Sequence, residues 1–144
     1  MELLNPLSRA QAGSLFEDKE FVATCLSTDQ VGHCVYIRAG VDVDGNYRVG
    51  KANPALESKV PSIGVIVEKE DATTCRVRRF GELGGFTGLT PGKAVFLKED
   101  GSLSQAPVPE PGLGEYVFVQ RMGTAYSAEV VYLDPNFHLV KRVG

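Results

Sequence analysis

Histidine, cysteine and long apolar runs are all scarce in this chain of 144 residues, and each shortage removes a class of function. The two histidines, His33 and His138, stand in no nucleophile motif with a serine or cysteine. His33 directly precedes Cys34, but neighbours on a strand point to opposite faces and cannot share one reaction centre. It reads as a solvent-facing turn residue. The three cysteines, Cys25, Cys34 and Cys75, form no CxxC pair, and no histidine lies at zinc-ligand spacing. An odd count leaves at least one thiol unpaired in a monomer. Their settings (FVATCLS, GHCVYI, TTCRVR) are those of small buried hydrophobes. A Cys25–Cys75 bridge, or a bond between subunits, is the alternative.

No stretch approaches the ~18 apolar residues that a bilayer crossing needs. The N-terminal MELLNPLSRAQAGSLFEDKE has no apolar core of the kind a secretory leader carries, so synthesis in a cytoplasm is expected. An excess of positive charge is also missing. The net charge is −3, which gives no basic surface for nucleic acid. Arg76, Arg78 and Arg79, and Lys141 with Arg142, read as solvated strand faces or a tail.

Helical periodicity is absent outside residues 5–16, where PLSRAQAGSLF is either a short helix interrupted by Gly13 or an extended arm. Strand signals fill the rest. Segments 21–27, 34–39, 47–52, 62–69, 73–81, 94–100, 102–107, 116–127 and 128–134 are rich in Val, Ile, Thr, Tyr and Phe. Turn residues separate them at intervals of about 8–12, as in a sandwich or small barrel. The expected fold is therefore all-β: an N-terminal arm (1–20) followed by one compact barrel or sandwich domain (21–144).

Two hairpins are written alike. In GHCVYIRAGVDVDGNYRVGKANP and GKAVFLKEDGSLSQAP, Gly32 matches Gly92, Val35 matches Val95, and Tyr36 and Ile37 match Phe96 and Leu97. Asp44-Gly45 matches Asp100-Gly101 after an insertion near residues 40–43, Tyr47 matches Leu103, and Ala52 matches Ala106. Further on, Ile63-Gly64-Val65 matches Met122-Gly123-Thr124. The two DG pairs suit two-residue type I′ turns. Gly32, Pro91 and Gly92 mark the turns entering each hairpin, and Gly64 and Gly123 mark points where strands bend or cross closely. Pseudo-repeats over about 31–80 and 90–134 follow, joined by a glycine-rich linker at 80–92. Either the unit is duplicated, or two DG hairpins look alike through their turn chemistry.

Chemistry is harder to find. Asp42, Asp44, Glu68, Glu70, Asp71, Glu99 and Asp100 cluster at turns. DVDGN has a calcium loop's spacing without its downstream glutamate or flanking helices. GELGGFTG lacks the strand–loop–helix setting of a phosphate cradle. No catalytic residue, metal site or cofactor is expected, and the chain does not read as an enzyme.

Gly88-Leu89-Thr90-Pro91-Gly92, Phe96-Leu97, Asp100-Gly101, Pro107, Pro109, Gln120, Gly123, Ala125, Ser127 and Asp134-Pro135 follow one another in a recognisable order. Together with VPSIGVIVEKEDATTCRVRRFGELGG before them, they resemble a pattern in small β-rich virion proteins of tailed bacteriophages. The resemblance spans about residues 31–135. It implies a virion structural protein of the capsid decoration (cement) or head-fibre type, located in the virion after assembly in the host cytoplasm. The absence of a fibrous extension favours decoration: a homo-oligomer, with a trimer favoured, seated on the major capsid protein. The alternatives are a tail, neck or spike component, and a small binding module or enzyme with a cryptic site. On this reading Leu3, Leu4, Leu7, Leu15 and Phe16 in the arm bury themselves in a partner's groove, or else fold back on the barrel.

Overall fold

The computed structural model describes residues 19–144, so the arm residues Leu3, Leu4, Leu7, Leu15 and Phe16 lie outside the described residues. Five strands, β1 (Glu20–Thr24), β2 (Cys34–Val41), β3 (Tyr47–Lys51), β4 (Gly64–Lys69) and β5 (Thr74–Arg78), close a barrel in the order β1-β3-β2-β4-β5. The chain then forms β6 (Gly81–Leu83), β7 (Ala94–Leu97), β8 (Leu103–Ser104), β9 (Tyr116–Val119), β10 (Arg121–Ala125), β11 (Val131–Leu133) and β12 (Val140–Val143). A second, open sheet has the order β6-β11-β10-β7-β8, and β9 pairs with β12 as a separate ribbon. The all-β expectation is met, with a barrel and a sheet side by side.

Both sheets are paired in the same sequence. β2 joins β3 as a hairpin, pairs with β4, and β4 pairs with β5, which pairs with β1; all four contacts are antiparallel. The equivalent chain of contacts in the second sheet is β8, β7, β10, β11, β6. The correspondence reaches single residues. Val35 stands opposite Gly64, and Val95 opposite Gly123. In the entering turns, Gly32 N donates to Ile66 O (2.8 Å) and Ile66 N to His33 O (3.0 Å). Their counterparts are Gly92 N to Ala125 O (2.7 Å) and Ala125 N to Lys93 O (2.9 Å).

Two details differ from the sequence reading. Ile37 faces Val49 as Leu97 faces Leu103, so Leu103 corresponds to Val49, and the match with Tyr47 is two residues out. The first hairpin carries its extra residues on both arms, with register shifts between Ile37 and Val41. The DG turns are also not of type I′. Gly45 N donates to Asp42 O (3.1 Å) while Asp42 N donates to Asn46 O (2.9 Å), which makes a three-residue loop. Gly101 N to Lys98 O (3.0 Å) and Lys98 N to Ser102 O (2.9 Å) repeat it. Only the glycines have positive φ, +84° and +83°, so each loop is an ordinary turn closed by a left-handed glycine bulge.

The segment 80–92, expected as linker, contributes β6, a strand too short and too glycine-flanked to show periodicity. The continuous strand expected over 116–127 breaks at Gln120, where the chain changes partners from β12 to β7 and β11.

Two cores result. Phe21, Ala23, Cys25, Val35, Val49, Ile66, Cys75 and Val77 fill the barrel. Cys34, Ala52 and Val65 face outward from its wall and pack against Val95, Leu97, Met122, Val131 and Leu133 of the second sheet. The adjacent pairs Cys34-Val35 and Val65-Ile66 therefore serve both cores, as alternation demands of strands buried on both faces. Buried polar contacts join the units as well. Ser62 N donates to Gln120 Oε1 (2.7 Å), Gln120 Nε2 donates to Ser62 O (2.8 Å), and Cys34 N donates to Gly101 O (2.7 Å).

Gly64 and Gly123 sit where β4 and β10 press on β5 and β11. A Cβ on Gly64 would collide with the Arg78 carbonyl, and one on Gly123 with the Tyr132 carbonyl. Gly123→Ala is expected to destabilise the fold by about 1–3 kcal/mol, the usual cost of overpacking. Gly40→Ala, whose Cβ would meet nothing within 4 Å, should stay within about 0.5 kcal/mol of wild type. Urea unfolding of the two variants measures the contrast.

Candidate functional site

The residues that sequence motifs offer for chemistry are engaged in building turns and cores. His33 Nδ1 accepts the Gln30 N–H (3.2 Å) within its turn. Cys34 is fully buried between barrel and sheet, and that burial pushes its thiol up to about 12, with a hydrogen bond to Ser62 opposing the shift. Cys75 in the barrel is pushed up further, first by burial and then by the neighbouring Cys25. All three cysteines are buried and free, so no bridge joins Cys25 to Cys75. Raised so far above neutrality, the Cys34 and Cys75 thiols carry almost no thiolate, the reactive form.

The carboxylates of the hairpin tips are likewise occupied. Asp42 accepts from Thr24 Oγ1 through Oδ2, and from the N–H groups of Asp44 and Asn46 through Oδ1 (both 3.0 Å). Asp100 accepts from Ser102 Oγ (2.6 Å) and Ser102 N (3.0 Å), so the second loop is capped from the position that corresponds to Asp44 rather than Asp42. Asp71 accepts Thr73 N (2.9 Å) at the β4–β5 turn. Among the described residues no group of three or more His, Cys, Asp or Glu side chains gathers to hold a metal ion. No helix among them is long and apolar enough to cross a membrane.

An apolar concavity lies where the second sheet remains open. In the barrel, β1 reaches β3 and completes the ring, whereas the corresponding β6 and β8 remain the two ends of their sheet. A trough of about 680 Å³ runs between those ends. Val65, Ile66 and Val67 of β4 form its floor, Leu83 to Phe86 one wall, and Ser102 and Leu103 the other. Val31, at the entering turn of the first unit, borders it with 58% of its surface exposed. Polar groups near it are few: Arg78, which pairs with Glu20 (Nε to Oε2, 2.7 Å) and donates to Glu82 O (2.6 Å), and Ser102. A trough this open, with so few polar atoms to orient a small ligand, suits a length of chain better than a metabolite.

A second recess of about 450 Å³ lies on the outer face of β10 and β11, beside Arg121, Thr124, Asp134, Asn136 and Phe137. Near it Tyr126 and Tyr132 stack with ring centroids 5.3 Å apart. Of the turn residues singled out in the sequence, Gly32 lines the trough. Gly45, Pro91, Gly92 and Gly101 shape turns, Asp44 sits at a hairpin tip, and Gly64 and Gly123 stand at close strand approaches. Sequence reasoning missed Val31, Leu83, Phe86 and Leu103 as neighbours. The signal available for the first was an apolar valine where the second unit has Pro91.

No protein-family model matches the chain, and neither a curated protein nor a solved structure matches it.

The tip aspartates carry a pH signature. Hydrogen bonds hold Asp42, Asp71 and Asp100 below their ordinary value of 3.8, led respectively by Thr24 Oγ1, the Thr73 N–H and Ser102 Oγ. A carboxylate lowered on folding contributes stability that is complete above the unfolded pKa and is lost as pH falls through the folded one. The Asp42→Asn/Asp71→Asn/Asp100→Asn variant should therefore show a flatter melting temperature than wild type between about pH 5 and pH 2. Thermal denaturation across that range measures the difference.

Proposed function

We propose that this chain is a bacteriophage virion structural protein, a capsid decoration protein that seats on the major capsid protein lattice as a trimer. One observation carries the reading: from Gly88 onward, the motif residues behind the phage resemblance shape the turns, strands and junction of the second sheet. Thr90-Pro91-Gly92 makes the entering turn, with Lys93 N bonded to Thr90 O (3.3 Å), Phe96 and Leu97 lie in β7, and Gly101 closes the hairpin. Gln120 supplies the buried amide that meets Ser62, and Gly123 allows β10 to press against β11.

The physical character of the body supports the same reading. It is a doubled β-scaffold whose aspartates and cysteines are engaged in holding loops and cores. Decoration asks for such a rigid piece, repeated over a lattice, where modest contacts gain through multivalency. Leu3, Leu4, Leu7, Leu15 and Phe16 of the arm are apolar side chains that a groove on a partner would bury.

Quantitative mass spectrometry of purified virions should find copies on the order of hundreds, as a lattice-wide part requires. A few to a few dozen copies would assign the chain to a tail, neck or spike instead. Light scattering should give a particle of three 15.5 kDa chains. Deleting residues 2–11 leaves every described contact in place, and should abolish co-sedimentation with undecorated capsids without moving the melting temperature. Undiminished co-sedimentation would overturn the arm's role.

A further inference from the structure

A register shift in β10 shapes the recess on the outer face of the second sheet. Arg121 stands opposite Phe96 and Gly123 opposite Val95, so one extra residue bulges from the β10–β7 ladder between them. Regular alternation would send Arg121 and Thr124, three residues apart, to opposite faces. The bulge brings them to the same one, where Arg121 Nη2 donates to Thr124 Oγ1 (2.6 Å) and Nε donates to Gly123 O (3.4 Å). Thr124 stands opposite Tyr132 on β11, and opposed residues of an antiparallel pair share a face. Past β11 the chain stays alongside β10: Asp134 N donates to Met122 O (2.8 Å) and Asn136 N to Arg121 O (2.9 Å). Arg121, Thr124, Asp134 and Asn136 thus line one hollow of about 450 Å³ together with the rings of Tyr132 and Phe137.

The doubled scaffold does not call for these side chains. Thr124 and Tyr132 occupy the places that Val65 and Arg78 hold in the first unit. Val65 lies in the core between barrel and sheet, covered by the second unit. Among the described residues no further sheet lies over the second unit's outer face, and its lining is polar and aromatic instead.

We propose that this recess binds a neutral hexopyranose ring. The charges decide the class. Arg121 offers only donors and Asp134 only acceptors, so an anion would meet Asp134 and a cation would meet Arg121. Arg121 is engaged by Thr124 and Gly123 rather than by Asp134. Vicinal sugar hydroxyls each donate and accept, and so satisfy a guanidinium and a carboxylate together without bringing a charge. Asn136 extends the set: its Oδ1 accepts His138 N (2.8 Å), which leaves the NH2 group to donate. The C–H face of a pyranose is apolar and matches an aromatic ring. Tyr132 offers one on a firm base, stacked on Tyr126 with centroids 5.3 Å apart and planes 20° from parallel. Phe137, 48% exposed, offers a second. The hollow's volume falls within the usual range of small-ligand sites. The proposal concerns the isolated protein and does not rest on the capsid reading.

Titration of the full chain, followed by amide chemical shifts, tests it. The probes are the methyl glycosides of glucose, galactose, mannose and N-acetylglucosamine, and the oligosaccharides of each. At least one should bind with a Kd on the order of 1 mM, as a few hydrogen bonds at an exposed site give. The amides of Thr124, Tyr132, Asn136 and Phe137 should move, and those of Val31, Leu83 and Leu103 at the trough should not. Arg121→Ala and Asp134→Asn should each weaken binding about tenfold, as loss of a charged hydrogen bond does. Lys98→Ala, exposed at the tip of the β7–β8 hairpin, should leave it unchanged. Unaltered amide shifts away from the recess show that each variant is folded. An oligosaccharide held more tightly than its monosaccharide would identify a glycan chain as the source, and equal affinity a free sugar. No shift at about 50 mM of any probe would overturn the proposal. So would a preference for uronic or sialic acids, shifts confined to the trough, or undiminished affinity in both recess variants.

Discussion

A parallel contact two residues long, Ala23 with Tyr47 and Thr24 with Arg48, separates the two halves of this molecule. It turns the first five strands into a barrel, and nothing equivalent joins the second five. The reason lies in strand length. β1 and β3 have five residues each, whereas their counterparts β6 and β8 have three and two. Strands so short cannot wrap far enough round to meet. The second sheet therefore buries its inner face on the barrel wall, borrowing Cys34, Ala52 and Val65 as the other side of its core. Among the described residues, β6 and β8 are therefore the end strands, and the trough between them follows directly.

That arrangement makes β2 and β4 central to both cores. Each has one face in the barrel and the other against the sheet, so a change in either is felt on both sides. The Gln120–Ser62 amide contact works at the same junction. Both residues are completely buried, and each satisfies the other's polar groups. Removing the Gln120 amide would strand the Ser62 N–H and C=O in an apolar interior, at about 1–3 kcal/mol for each group left unsatisfied. Break, burial and bridge coincide at Gln120, which explains why a run of strand-forming residues from Tyr116 to Ser127 is interrupted there.

Several equivalent positions of the two units were legible in the sequence. Glycine at 32 and 92, valine at 35 and 95, and glycine at 64 and 123 identify equivalent residues, because each is fixed by a turn or a close contact rather than by burial alone. Where the constraint was weaker, the reading slipped. The return arms share no glycine to hold the alignment, since Gly50 of the first stands where the second has Ser104, and Tyr47 took the place of Val49. Asp-Gly fits more than one turn, and only the backbone angle at the aspartate distinguishes them. β6 and the trough were hidden for a different reason. A three-residue strand has no period, and a groove between two strand ends is a property of closure that no local pattern encodes.

The likeness between the units also bears on where function can reside. Residues shared by both, such as Val35 and Val95 or Asp44-Gly45 and Asp100-Gly101, are accounted for by hairpin and core, and would be needed whatever the protein does. What the scaffold does not require appears where the units differ. The first has Val31 exposed at its entering turn and a full ring of strands; the second has Pro91, an open sheet ending in β6 and β8, and the β9–β12 ribbon. That ribbon is tied to the first unit by Phe118 N to Pro54 O (2.7 Å) and braced by Lys141 Nζ lying 4.2 Å from the centre of the Tyr116 ring. These departures lie mainly on one unit, and together they give a doubled scaffold two unlike halves.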